Sequence, residues 1–104
     1  MEIIFREMER LAKKEPKTVI QRFLKLGEEC GELAQEIGIA ENVSGYSYKT
    51  AGKDGIHGEC MDIAQTALSI FFATGGTTEE FKRFFTEKMV KWESKMEIPP
   101  KKLP

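Results

Sequence analysis

Residues 16–40, PKTVIQRFLKLGEECGELAQEIGIA, decide the fold of this chain. Val19, Phe23, Leu26, Cys30, Leu33 and Ile37 follow one another at alternating spacings of four and three, which marks one face of a helix. Pro16 stands where a first-turn proline is tolerated, so the helix is expected over about 16–40 with that apolar stripe as its buried seam. The same stretch carries Glu29-Cys30-Gly31-Glu32, and residues three apart on a helix share a face. Gly27 and Gly31 each cost up to about 1 kcal/mol inside a helix, which points to close approach by a neighbouring helix or a ligand at this place.

Three further helices flank this one. A first, roughly 2–14, aligns Ile4, Met8 and Leu11. A third, about 55–74, aligns Ile56, Cys60, Ile63, Ala67 and Ile70 or Phe71, with Asp54 as its expected N-cap and Gly75-Gly76 as its stop. Thr77 and Glu80 have capping-box spacing for a fourth helix, about 78–97, which Pro99-Pro100 ends; 98–104 reads as a flexible tail. Between the second and third helices, residues 42–55 carry glycines, Ser44, Ser47, Thr50, Tyr46 and Tyr48, and read as a mobile loop. No strand-like alternation, repeat or low-complexity tract competes. The expectation is a single all-α domain over 1–104, a four-helix bundle-like fold.

The third helix carries a second acidic pair, Glu59-Cys60-Met61-Asp62. With each apolar stripe labelled a/d, Glu29 and Glu59 fall at g while Glu32 and Asp62 fall at c. Both pairs therefore lie on the same flank of equivalent stripes, whereas Glu28, at f, points to solvent. Packed side by side, the two helices bring four carboxylates together. Such a cluster repels itself and titrates upward unless a cation neutralises it. Oxygen-only donors suit a hard divalent ion, Mg²⁺ with Mn²⁺ as the alternative, better than zinc. That favours metal-dependent chemistry on a phosphate-bearing substrate, with Glu29, Glu32, Glu59 and Asp62 as metal-ligating and catalytic residues.

Composition narrows the classes. A net charge of −1 with 32% charged residues lacks the basic excess that a nucleic-acid polymer would require. The longest apolar run, Ala67–Ala73 interrupted by Ser69, is too short to span a bilayer. Cys30 and Cys60 fall at apolar helical positions without metal-type clustering. With no secretory segment at the N-terminus, the expectation is a cytoplasmic protein with reduced cysteines.

Glu28-Glu29-Cys30-Gly31-Glu32-Leu33-Ala34 resembles the E-E-x-x-E-L motif of MazG-like proteins of the all-α nucleoside triphosphate pyrophosphatase superfamily. Gly58-Glu59-Cys60-Met61-Asp62-Ile63 is similar to that superfamily's second motif, E-x-x-D. The resemblance covers about 20–97 and implies hydrolysis of nucleoside triphosphates to monophosphate and pyrophosphate, with Mg²⁺ held by Glu29, Glu32, Glu59 and Asp62. It also implies basic or amide groups on the fourth helix for the phosphates. Lys88, Lys91 and Lys95 share one face there, although the only asparagine of the chain is Asn42; a solvated basic stripe is the competing reading. Lys25, one turn before the first motif, is a further phosphate candidate.

Trp92, Tyr46, Tyr48 and His57 are the groups able to stack on or hydrogen-bond a nucleobase, and the tyrosines sit where a loop covers a ligand. Some relatives have tyrosine one turn after the second-motif aspartate; here that position is Thr66. Phe71, Phe72, Phe81, Phe84 and Phe85 offer more aromatic surface than a small monomer covers, and similar proteins are dimers or tetramers, so a homodimer or homotetramer is expected. Three other readings compete. A di-iron bundle needs Glu-x-x-His pairs, and the chain has one histidine. Phosphoribosyl-ATP pyrophosphatase usually has a tyrosine-histidine ending that is absent after Asp62. The third is a non-enzymatic helical interaction module whose acidic residues only solvate it.

Overall fold

Thr18, rather than Pro16, opens the second helix. Its hydroxyl accepts from the Gln21 backbone N–H and the Gln21 side chain accepts from the Thr18 N–H, a complete capping box. The computed structural model describes residues 1–46 and 48–96. Within them lie four α-helices and no strand: α1 (Glu2–Lys14), α2 (Val19–Ala40), α3 (Gly55–Ala73) and α4 (Thr78–Lys95). The expected tail at 98–104, with Pro99-Pro100, lies outside the described residues, as does Ser47 of the loop. No helix among the described residues is long and apolar enough to cross a membrane.

The helix ends follow the local chemistry. α4 starts at Thr77, whose hydroxyl accepts from the Glu80 N–H. Asp54 holds the N-cap position of α3 as expected, although its side chain makes no cap bond. α3 ends where Gly75 takes φ +99, a left-handed conformation that lets the Gly76 N–H reach back to the Phe71 carbonyl at 2.9 Å. Asn42, at φ 55, ends α2 in the same way.

α2 and α1 both pack along α3, while α4 packs on α1. Partner pairs show that α2 and α3 run antiparallel: Arg22 meets Ser69 and Glu29 meets Thr66. The small core sits where α1, α3 and α4 join. Phe72, 1% exposed, and Phe81 and Ala12 are buried there, flanked by Phe5, Met8, Leu68 and Phe71. Phe5 and Phe81 lie 4.3 Å apart ring to ring, and Phe71 meets Phe72 and Phe81 edge-on. Glu9 ties α1 to the start of α4, its Oε1 accepting from the Thr78 N–H at 3.2 Å and hydroxyl at 2.7 Å.

The face that α2 buries is not its apolar stripe. Its buried residues are Arg22, Glu29, Glu36 and Gly38, with half-buried Leu26 and Leu33 between them. Phe23 is 61% exposed and Leu24 63%, and Val19, Cys30 and Ile37 are exposed too. The expected seam is therefore split: Leu26 and Leu33 are half-buried, while Val19, Phe23, Cys30 and Ile37 stay exposed. The physical reason is that the charged residues of the other face find partners across and around α3. Among the described residues nothing lies within 4 Å of a Cβ built on Gly27 or Gly31, so they do not make the close approach expected there. The molecule is flat, with extents of 48 × 46 × 23 Å. Its radius of gyration is 17.6 Å, against about 13 Å for a compact chain of this length.

Candidate metal centre

The seven-residue spacing of Arg22, Glu29 and Glu36 keeps all three on the α3-facing side of α2. Glu29, 5% exposed, is the carboxylate at the centre of this seam. Its Oε1 accepts a 2.7 Å hydrogen bond from the Thr66 hydroxyl of α3. Opposite it, Glu59, Asp62 and Thr66 share a face of α3 through spacings of three and four. One carboxylate oxygen each from Glu29, Glu59 and Asp62 lies within 4.8 Å of the other two. Burial grades across the trio, from buried Glu29 through half-buried Glu59 to exposed Asp62.

Glu32, the fourth expected ligand, is exposed and stands outside this trio, but its carboxyl adjoins Glu59. Burial first, then Glu32, Asp62 and Glu29, raise the pKa of Glu59 above its ordinary 4.5. Among the described residues the Oε2 of Glu59 is buried with no hydrogen-bond partner. Two ionised carboxylates supply no donor to each other, so Oε2 calls for a proton, a water or a cation. An all-oxygen set with one buried orphan lone pair and one open side fits a hard divalent ion. Mg²⁺ in particular binds through few carboxylates and keeps sites for water and phosphate.

A cavity of about 300 Å³ adjoins the trio; Glu29 and Thr66 line it on the carboxylate side, Met8 and Leu11 on the α1 side. Arg22 forms part of its wall. The guanidinium, on a residue 3% exposed, donates to the carbonyls of Ala12 and Glu15 at 2.9 Å, Lys17 at 3.1 Å and Ser69 at 3.3 Å. It locks the α1–α2 corner onto α3. Sequence reasoning missed both Arg22 and Thr66. For Thr66 the signal was present, since it continues the Glu59–Asp62 face by one turn. For Arg22 only the register with Glu29 and Glu36 hinted at it.

The remaining expected groups are placed elsewhere. Lys88, Lys91, Trp92 and Lys95 are exposed on α4, which joins α1 rather than α2, and they line neither this cavity nor a second one beside Glu36 and His57. Lys25 does line the cavity beside the trio. The loop after α2 bonds back to that helix: the Gly52 N–H donates to Glu36 Oε1 at 2.6 Å, and Lys49 Nζ to Gln35 Oε1 at 3.2 Å. Tyr46 rests on Gly38, where an added Cβ would meet its ring at 2.7 Å. Lys49 sits 5.4 Å from the Tyr46 ring and 5.9 Å from that of Tyr48, so both tyrosines are engaged at the far end of α2.

No protein-family model, curated protein or solved structure matches the chain.

Proposed function

We propose that this is a MazG-like, Mg²⁺-dependent nucleoside triphosphate pyrophosphohydrolase. The observation that carries the reading is the convergence of Glu29, Glu59 and Asp62 oxygens within 4.8 Å, with Glu59 Oε2 buried and unpartnered. A divalent cation held by these residues supplies charge neutralisation at the phosphoanhydride and a low-pKa water. The chain's own contribution is positional. Thr66 orients Glu29, and burial keeps the Glu29 and Glu59 carboxylates in a medium where they interact strongly. Glu32, beside the trio but outside it, is the better placed of the two base candidates, Glu29 and Glu32. It takes the proton of a water attacking the α-phosphorus, the α–β bridging P–O bond breaks, and pyrophosphate leaves.

The active form in this reading is a homo-oligomer, dimer or tetramer. The chain exposes 8228 Å², whereas a compact monomer of 11.8 kDa exposes about 5,900 Å². Ile20, Phe23 and Leu24 with Gly27 and Gly31 give α2 an apolar face with room for close approach by the second copy's helix. Cys30 and Cys60 are both unpaired, which fits a reducing, cytoplasmic setting.

A screen of ribo- and deoxyribonucleoside triphosphates for Mg²⁺-dependent pyrophosphate release tests the activity, and turnover in ¹⁸O-water should label the monophosphate. Label confined to pyrophosphate excludes attack at the α-phosphorus. Absence of both turnover and Mg²⁺ binding by calorimetry favours an interaction module. A monomeric mass by light scattering at micromolar concentration refutes the oligomer.

A further inference from the structure

The cavity beside the carboxylate trio has a charge pattern that the metal reading leaves unused. Arg22 is a buried guanidinium whose partners are all backbone carbonyls, and among the described residues no carboxylate lies within 4.0 Å of it. Buried charges are normally paired, and an arginine cannot shed its proton to escape the cost. The carbonyl dipoles hold the group in place but leave its unit charge uncancelled in the cavity wall. Two more cations, Lys17 and Lys25, line the same cavity. Both are exposed, and each has only a loose partner, Glu15 at 4.0 Å and Glu28 at 3.7 Å. Such pairs are weak and readily exchanged for a better anion.

The cations are also in register with the metal ligands. Arg22, Lys25 and Glu29 are separated by three and then four residues, so they line one side of α2 with the positive end leading into the carboxylates. With Glu29 given over to a cation, Glu15 is the one acid left against three bases in the wall. An occupant matched to this pattern is a compact polyanion with one end at Glu29, the trio's one carboxylate in the cavity lining, and the other between the lysines. The basic stripe of α4 does not offer this within the chain, because α4 joins α1 and stays off α2.

We infer that this cavity seats the terminal two phosphates of the substrate, with Lys17 and Lys25 contacting the phosphate oxygens and Arg22 supplying fixed positive potential behind them. The inference rests on the triphosphate reading above for the identity of the ligand. It assigns pyrophosphate binding to the α1–α2 corner in place of Lys88, Lys91 and Lys95.

The test is isothermal titration of the full chain with inorganic pyrophosphate in Mg²⁺, comparing wild type with a Lys17→Gln/Lys25→Gln variant. Both side chains are exposed, so the variant should keep the helical circular dichroism; Arg22→Ala is avoided because it removes the tie between α1, α2 and α3. Pyrophosphate affinity should fall about 10- to 100-fold, the loss expected for charge-assisted hydrogen bonds, while affinity for a nucleoside monophosphate stays unchanged. Failure of the wild type to bind pyrophosphate overturns the inference. So does equal binding by the variant, an equal loss of monophosphate affinity, or a loss seen only in Lys88→Gln/Lys91→Gln/Lys95→Gln. The readout needs no turnover. Lysine-dependent pyrophosphate binding without triphosphate hydrolysis keeps the anion site and sinks the hydrolase reading instead.

Discussion

Replacing Thr66 by valine removes one hydroxyl and little volume, and that hydroxyl anchors Glu29 in the proposed metal centre. Its O–H donates to Glu29 Oε1 at 2.7 Å, and Glu29 is 5% exposed, so few waters can take over the bond. A hydrogen bond to a charged group contributes about 1.5–3 kcal/mol. Groups that orient a metal ligand typically change metal affinity about 10- to 100-fold, which converts to about 1.4–2.8 kcal/mol. The two routes agree, so Thr66→Val should weaken Mg²⁺ or Mn²⁺ binding by one to two orders of magnitude. It should also destabilise the metal-free chain by about 1.5–3 kcal/mol in denaturant unfolding with EDTA. Thr66→Ser keeps the donor and should keep most of the affinity. Calorimetric metal titration of the three proteins decides the matter. Wild-type affinity in Thr66→Val, or an equal loss in Thr66→Ser, refutes the role assigned to the hydroxyl.

Glu59→Gln should abolish turnover yet raise the melting temperature of the metal-free protein at neutral pH. The pKa of Glu59 is raised in the fold, so its favourable contribution is complete below about 4.5 and is lost as pH rises through the folded value. The gain from the substitution should therefore vanish on acidification, and a variant less stable than wild type at pH 7 in EDTA contradicts the orphaned-oxygen argument. Glu9 has the opposite sign. Lys13 first, then Thr78, hold its pKa down to about 2, so its stabilisation is present above 4.5 and fades as pH falls toward 2. Thermal melts of wild type and Glu9→Gln should thus converge over that window, and a constant gap rules the linkage out. Mg²⁺ should increase the oligomeric fraction in sedimentation at limiting concentration, because binding that stiffens α2 against α3 is coupled to association; no shift on adding Mg²⁺ argues that the two are independent.

Helix existence was legible because apolar periodicity and end signals agree. Thr77 with Glu80 and the Gly75-Gly76 stop fixed the α3–α4 turn. The start of α2 was also written in the sequence, as Thr18 and Gln21, but Pro16 drew the boundary two residues early. Spacing alone set four carboxylates on matching flanks; oxygens of three, Glu29, Glu59 and Asp62, converge, and Glu32 stands outside them. The burial of α2 was not legible, because periodicity records which residues avoid water and says nothing of which neighbour covers them. Arg22 and Glu36 enter the seam through bonds to backbone groups that no periodicity reports: the carbonyls of Glu15 and Lys17 in the α1–α2 connection and of Ser69 on α3, and the N–H of Gly52 in the loop after α2. Thr66 read as a departure from a family pattern, although its position one turn after Asp62 placed it on the ligand face. The α4 lysines were seen as a stripe, but nothing in a stripe reports which helix it faces.

The two faces of α2 explain each other. A seam built from Arg22, Glu29 and Glu36 releases little apolar area, and its charges resist burial, so hydrophobic burial between α2 and α3 is a weak source of stability. The apolar residues that would normally provide it, Ile20, Phe23 and Leu24, lie on the other side of the same helix, exposed. A charged seam and a stabilising apolar stripe cannot occupy one face of one helix, and this chain separates them. In the homo-oligomer proposed above, a second copy covering the stripe holds α2 from behind and leaves its polar face free. On that proposal association is the condition under which a helix carrying a buried arginine and two buried glutamates remains folded against its partner.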